Sequence, residues 1–397
     1  MRVAIIGGGV GGLTAAIALA GKAINVAVYE QAPQLPRVGA SLQLGPNALR
    51  LMDELGLLAR LRRIGVRPAA VEFIRWDDGS LLLRTPLGPA MEDHFGAPQL
   101  DFFRPDLHRM LAESVEPGTL RLGARVVGVD QDRGRVSVRL ADGSRVRADV
   151  AVAADGIRSP IRQQLFGAED PQFSGTVVYR GVAPRDAVVH LHPEHVNYYW
   201  LGPYRHGVSY WISEGVLLAV NCAVQHAEWS RESWTLEAAA DEAIPYFDGW
   251  HAPLQERIRR CAVLLRGAVF VRRPLANWSR GRVTLLGDAA HAMEPFQAQG
   301  AAQAVEDAYV LAECLATVDD PTAALVRYER IRMARAEELQ ASSHDAANVF
   351  YLPDGEQQRA RDVGYTNLGH SQPWGPRQRI WEYDVRAALA SQAFASP

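Results

Sequence analysis

Cysteine is scarce. Cys222, Cys261 and Cys314 are the three in 397 residues, too few and too scattered for a disulfide framework or a CxxC metal site. A reducing compartment and no metal centre are expected. Neither sign of charge dominates: 42 Lys+Arg against 45 Asp+Glu leave a net −3, without the basic surplus of a generic nucleic-acid binder. No apolar run reaches the roughly 18 residues of a membrane span. Met1 to Gly7 run straight into a glycine motif, with no signal-peptide pattern before it. The chain is therefore expected in the cytoplasm, with no membrane span and no nucleic-acid partner. What is present is ordinary for a globular protein: 48% hydrophobic and 22% charged residues.

The opening segment reads as a βαβ unit. Val3 to Ile6 predicts a short buried strand, Leu13 to Ala20 a helix, and Asn25 to Tyr29 a second strand ending at Glu30. Ala148 to Asp155 and Arg282 to Asp288 repeat the pattern of a buried strand ending in Asp. From Gln299 to Thr317 apolar residues fall three or four apart, which predicts an amphipathic helix. The middle differs. Between about Phe173 and Val271 lie short aromatic and β-branched runs separated by turn residues, the pattern of a mostly antiparallel sheet. Val71 to Leu83, around Asp77-Asp78-Gly79, reads as a hairpin able to join it. Beyond about Pro353 the chain is rich in Pro, Gly and Gln and reads as an irregular tail.

Gly7, Gly9 and Gly12 form GxGxxG between the first strand and helix, and Glu30 ends the next strand. Gly7 permits the tight turn, Gly9 lets a pyrophosphate approach the backbone, and Gly12 lets helix and strand pack closely. The helix N-terminus then faces the phosphates, while Glu30 accepts from ribose hydroxyls. The fingerprint predicts a dinucleotide but does not separate FAD from NAD. Two further motifs follow. Asp155-Gly156 with Ser159 and Arg162 gives DGxxSxxR, and Gly287 to His291 gives GDAAH, with Pro295 and Gly300 beyond. Each alone reads equally as a strand-to-helix turn capped by Asp.

In this order the three motifs resemble the single-component, group A FAD-dependent aromatic hydroxylases, which have the fold of para-hydroxybenzoate hydroxylase. The resemblance covers about residues 1 to 350. It includes Arg37 before Gly39-Ala40, Gly45-Pro46-Asn47-Ala48, Arg104 to Leu107, Tyr179-Arg180-Gly181 and Trp278 to His291. The phrase Tyr351 to Gly355 is similar to the salicylate hydroxylase branch.

The resemblance implies an α/β fold: a Rossmann-like FAD-binding domain from 1–70, 98–172 and 272–350, interleaved with a mostly antiparallel β-sheet substrate domain from 71–97 and 173–271, and a C-terminal tail at 351–397. It also implies residue roles. Glu30 holds the FAD ribose, Arg37 and Arg104 lie along the cofactor, and Asp288 binds the ribityl or pyrophosphate region. Asp155 and Gly156 serve both FAD and the passing nicotinamide. Gly300, Ala301 and Ala302 form a helix N-terminus beside the flavin ring, where about half a positive charge stabilises the anionic reduced flavin. NADH or NADPH is the implied co-substrate, and the absence of a second GxGxxG agrees, because this family gives the nicotinamide no Rossmann domain of its own.

The implied reaction hydroxylates a small aromatic or N-heteroaromatic ring with O2, through a flavin hydroperoxide. The ring sits between the middle sheet and the flavin. His206, expected in a loop, and Tyr210 are the catalytic candidates, while the group that activates the ring hydroxyl is not singled out by the sequence. Gln43, Trp211, Met293, Pro295 and Phe296 are the candidate substrate contacts. His291 is expected to order the GDAAH turn. Salicylate and 6-hydroxynicotinate hydroxylases tend to carry His where Phe296 stands, and hydroxynicotinate enzymes also carry His in place of Gln43. A pocket more apolar on the flavin side is therefore expected. The rivals are a same-fold oxygenase of a polyketide, quinolone or other larger ring, an NAD-dependent dehydrogenase, and a non-catalytic flavin binder. A homodimer is left open.

Overall fold

The computed structural model describes residues 1–37, 39–167, 169–229 and 236–391. Its first core is built on the predicted βαβ unit. Arg2–Ile6 pairs in parallel with Asn25–Tyr29 on one side and with Val150–Ala153 on the other. Val283–Leu285 extends the sheet beyond Val150–Ala153. Short strands at Ser279–Arg280 and Leu120–Arg121 complete six strands. Strands buried on both faces read as continuous apolar runs, which is why Val3 to Ile6 and Val150 to Ala153 are almost wholly buried.

The helix Val10–Ala20 packs against the predicted amphipathic helix, observed at Gly300–Thr317. Gly12 makes the turn possible: a Cβ there would stand 2.0 Å from the Gly7 carbonyl oxygen. Val126–Gln131, Val136–Leu140 and Arg145–Ala148 form a separate antiparallel meander.

The middle of the chain forms an eight-stranded sheet. Its order runs Leu236–Ala238, Leu264–Val271, Gln172–Pro184, Leu217–Gln225, Arg205–Ile212, Val196–Gly202, Ala70–Arg75, Leu81–Pro86. Every pairing is antiparallel except that of Val196–Gly202 with Ala70–Arg75. The predicted hairpin around Asp77-Asp78-Gly79 thus joins this sheet through its first strand. A two-stranded ribbon, Ser41–Leu44 with Leu100–Phe103, lies between the sheet and the first core. The helix Pro321–Phe350 ties the two halves together, burying Leu325 and Tyr328 in the first core and Leu339 and Phe350 in the second.

The tail corrects the irregular reading. After the Pro353–Gly355 break the chain is helical at Glu356–Ser371, Gln378–Glu382 and Val385–Ser391. Tertiary docking rather than intrinsic propensity stabilises such helices. Trp374 donates to the Pro86 carbonyl at 2.9 Å, and Trp381 is buried in the second core. The Arg377 guanidinium lies over the rings of Tyr199 and Phe73. Residues 392–397 of this tail lie outside the described residues. Among the described residues no helix is long and apolar enough to cross a membrane, and all three cysteines are buried and unpaired.

Candidate active site

One cavity of about 400 Å³ runs from the glycine motif to the large sheet. At the motif end its walls are Gly9, Val10, Gly11, Arg104, Gly156, Asp288, Gly300 and Ala301. At the sheet end they include Val178, Arg180, Tyr199, His206, Tyr210 and Asn221. Gln43, Met293, Pro295 and Phe296 lie between, on the ribbon and on the turn after GDAAH.

Strand register explains the sheet end. Successive side chains point to opposite faces, so Val178 and Arg180 share a face, as do His206, Val208 and Tyr210. The pairings Tyr199 with Val208, Val208 with Asn221 and Asn221 with Arg180 set these four in one row across four strands. His206, Ala223 and Val178 form the next row. His206 is therefore a strand residue, not the expected loop histidine. The same alternation removes Trp211 from the pocket. It faces the opposite side, buried with Trp200 and Phe247, its indole donating to the Glu194 carbonyl at 3.2 Å. Arg180, Tyr199, Ser41 and Asn221 are cavity residues absent from the sequence candidates. Alternation within Tyr179-Arg180-Gly181 gave a signal for Arg180, but the row needs the register.

A polar network crosses the cavity floor. Tyr210 donates to Ser41 Oγ at 2.7 Å and Asn221 donates to the same oxygen at 3.1 Å. With both lone pairs engaged, Ser41 retains its hydrogen as a donor. Tyr199 donates to Gln43 Oε1 at 3.0 Å. Burial pushes the Tyr210 hydroxyl up, so it stays protonated. Burial pushes Arg180 down to about 10, helped by the like charge of Arg104; it remains cationic at neutral pH.

His206 sits among the rings of Phe296, Phe350 and Tyr351, with centroids 5.4–5.6 Å away. Its Nδ1 has no hydrogen-bond partner among the described residues. Burial pushes its pKa down to about 3, so the imidazole is neutral. Because the folded value lies below the ordinary 6.5, the unfolded chain binds a proton that the folded chain refuses. Stability is lost as pH falls from about 6.5 toward 3. Relative to His206→Leu, the wild type is expected to lose about 2 kcal/mol between pH 7.5 and 5. Urea midpoints of both proteins at the two pH values test this, and parallel shifts would contradict it.

The motif end is shaped for an extended, phosphate-bearing ligand. At Gly9 a Cβ would meet no atom within 4 Å, whereas at Gly7 it would lie 2.3 Å from the Ala154 carbonyl oxygen. Gly9 thus leaves open cavity wall at the helix N-terminus, while Gly7 and Gly12 close the turn behind it. Glu30 accepts the Gly8 and Ala32 amides at 2.7 and 2.8 Å, which fixes its carboxylate at the loop, and His108 Nε2 holds the Gly8 carbonyl. Asp155 lies behind Gly156, its carboxyl buried and pushed up by burial to about 6 against the opposing effect of the Ser159 hydroxyl. Arg37 is exposed and outside the cavity wall. Ala302 also departs from its expected place, because its side chain turns into the first core. Of the three residues expected at this helix start, Gly300 and Ala301 line the cavity, with Gln299 and Ala304 beside them. These features fit FAD: a bare glycine cradle, an acid at the second strand, and a second helix N-terminus across the cleft.

A buried ionic cluster stands behind that second helix. Arg332 donates to Asp307 Oδ1 at 2.8 Å, Glu306 Oε2 at 2.6 Å and Gln303 Oε1 at 2.6 Å. Asp307 Oδ2 receives the Gly287 amide at 3.0 Å and faces His291 Nε2 at 2.6 Å. His291 therefore orders the GDAAH turn, as expected. Burial alone would raise Asp307, but His291 and Arg332 hold it at about 2. Asn47 joins from the other side, donating to Glu306 Oε1 at 2.7 Å. Asp288, in the turn so fixed, is exposed to the cavity. Asp288→Ala is expected to weaken FAD binding by about 1.5–3 kcal/mol, roughly one to two decades, with an unchanged circular dichroism spectrum. Wild-type flavin affinity would reject that role.

Comparison with known proteins agrees with the geometry. Residues 1–343 match the family described as FAD binding domain. The chain is 42% identical over 390 residues to a 3-amino-4-hydroxybenzoate 2-monooxygenase of Streptomyces platensis, covering 98% of this chain and 96% of that one. It is 36% identical over 348 residues to the 6-hydroxynicotinate 3-monooxygenase of Bordetella bronchiseptica, covering 87% and 91%. A salicylate hydroxylase solved as its substrate complex superposes with a TM-score of 0.83 at 29% identity, covering 98% of this chain and 97% of that one. The chain belongs to this FAD-binding family of aromatic-ring monooxygenases.

Proposed function

We propose that this monooxygenase hydroxylates a small phenolic ring acid, of the aminohydroxybenzoate or hydroxynicotinate kind, using NADH or NADPH and O2. The observation that carries this reading is the single cavity that joins the glycine cradle to a sheet face bearing Arg180, Tyr210 and His206. The relatives' names carry ring carboxylates, and a guanidinium in the cavity wall suits such a group.

Bound FAD supplies hydride acceptance and oxygen activation; Gly9, Glu30, Asp288 and the Gly300 helix start would hold it. Arg180 binds the ring's anionic group and sets its orientation. Ser41, held by Tyr210 and Asn221, donates to a ring oxygen and favours its phenolate form, which is the electron-rich form an electrophilic oxygen attacks. Neutral His206 packs against Phe296 and Phe350 and keeps that side of the pocket uncharged. Phe296, Phe350 and Val178 supply apolar wall that excludes water. A test is NAD(P)H oxidation stimulated by a panel of hydroxybenzoates, aminohydroxybenzoates and hydroxynicotinates, with product identification. Stimulation with a hydroxylated product is expected. Absence of product from every ring acid would reject the reading.

A further inference from the structure

Phe296 adds an apolar ring to the cavity wall, but the same turn carries a carboxylate. Glu294 is 4% exposed and lines the cavity, between Met293 and Pro295. Its Oε2 lies 3.2 Å from Nδ1 of His344, a residue of the long helix whose side chain is exposed on the other side. One carboxylate oxygen is thus tethered from outside the cavity. For the other, Oε1, no hydrogen bond is found among the described residues, and Glu294 is itself one of the residues lining the cavity. Tyr351 is the further titratable group facing it.

The placement of charge makes this acid distinctive. Asp288, the other acid in the cavity wall, lies beside Gly300 at the cofactor end. The sheet end offers donors: Arg180 and the Ser41 hydroxyl. Glu294 is therefore an acidic acceptor in the wall of the same cavity as those donors. Burial raises its pKa and His344 opposes the rise, so a donor brought to the carboxylate is rewarded.

Resting on the function proposed above, we infer that Glu294 is a specificity-determining residue, which accepts a hydrogen bond from an N–H or O–H group carried on the ring. Arg180 then takes the anionic end of the substrate and Glu294 a donor elsewhere on the ring. A ring acid lacking that donor leaves the carboxylate unpaired in a buried site, and sites of this kind discriminate strongly.

The test compares 4-hydroxybenzoate with 3-amino-4-hydroxybenzoate on the FAD-loaded protein. Dissociation constants come from perturbation of the flavin spectrum, and kcat/KM from product formation. The wild type is expected to favour the aminated ring by about tenfold or more. Glu294→Leu should abolish that preference, chiefly by weakening the aminated ring. Glu294→Gln, which keeps an acceptor oxygen and nearly the same shape, should retain part of it and guards against misfolding of the leucine variant. A preference unchanged in both variants overturns the role of Glu294 while leaving the proposed reaction standing. Failure of the wild type to bind or oxidise either ring overturns both.

Discussion

Arg180→Met is expected to lower kcat/KM for a ring acid by roughly 30-fold to several thousand-fold while FAD stays bound. Arg180 stands in one row with Asn221, Val208 and Tyr199 and lines the cavity from the large sheet. Truncating one partner of a buried charged pair costs about 2–5 kcal/mol, because the other charge is left in a poor solvent. That cost falls on substrate in the ground state and in the transition state alike, so much of it should appear in KM. Methionine keeps the length and much of the apolar stem, and the strand pairing on both sides of Arg180 uses backbone only. Steady-state kinetics with a carboxylated ring and with its neutral amide separate the effects. The acid should suffer and the amide should change little. An equal loss for both, or loss of FAD, would place Arg180 in the cofactor site instead.

Arg332→Met is the second large effect, and it acts at a distance from any ligand. Arg332 is fully buried and offsets two buried carboxylates, Glu306 and Asp307. Removing it leaves charge uncompensated, which costs about 3–5 kcal/mol in comparable sites. At roughly 2–4 °C per kcal/mol for a large domain, the melting temperature should drop by about 10 °C. The cluster also holds the Gly287 amide and His291 through Asp307. Flavin affinity should therefore fall at temperatures where the variant is still folded. Arg332→Lys, which keeps the charge but cannot match three acceptors in one plane, should recover part of the stability. A melting temperature within about 2 °C of wild type would contradict the structural role of the cluster.

These two residues show how unevenly the site is written in the sequence. The cofactor end is local. GxGxxG, Glu30, Asp155-Gly156 and Asp288 each sit where a strand meets a helix, so spacing along the chain places them. Asn25–Tyr29 and Gly300–Thr317 are found where apolar periodicity puts them. The sheet end of the cavity is not local. Arg180 and Asn221 meet because two strands pair in one register, and register is set by the turns and by the whole buried face. Trp211 illustrates the cost of ignoring alternation. It is one residue from Tyr210 and belongs to the opposite core.

Glu306, Asp307 and Arg332 were hidden for another reason. A charged residue within an amphipathic pattern ordinarily marks the solvent face, and only the approach of the long helix turns these positions inward. The tail is similar. Its Pro and Gly residues read as irregular, yet Trp374 and Trp381 dock on the second core and bring short helices with them.

Transfer of one atom of molecular oxygen to an aromatic ring is read out by turnover under 18O2 with mass analysis of the product. A hydroxylated ring carrying one labelled oxygen for each reduced nicotinamide consumed in coupled turnover is expected. Product oxygen derived from water, or nicotinamide oxidation that yields only hydrogen peroxide with every ring acid offered, would contradict it.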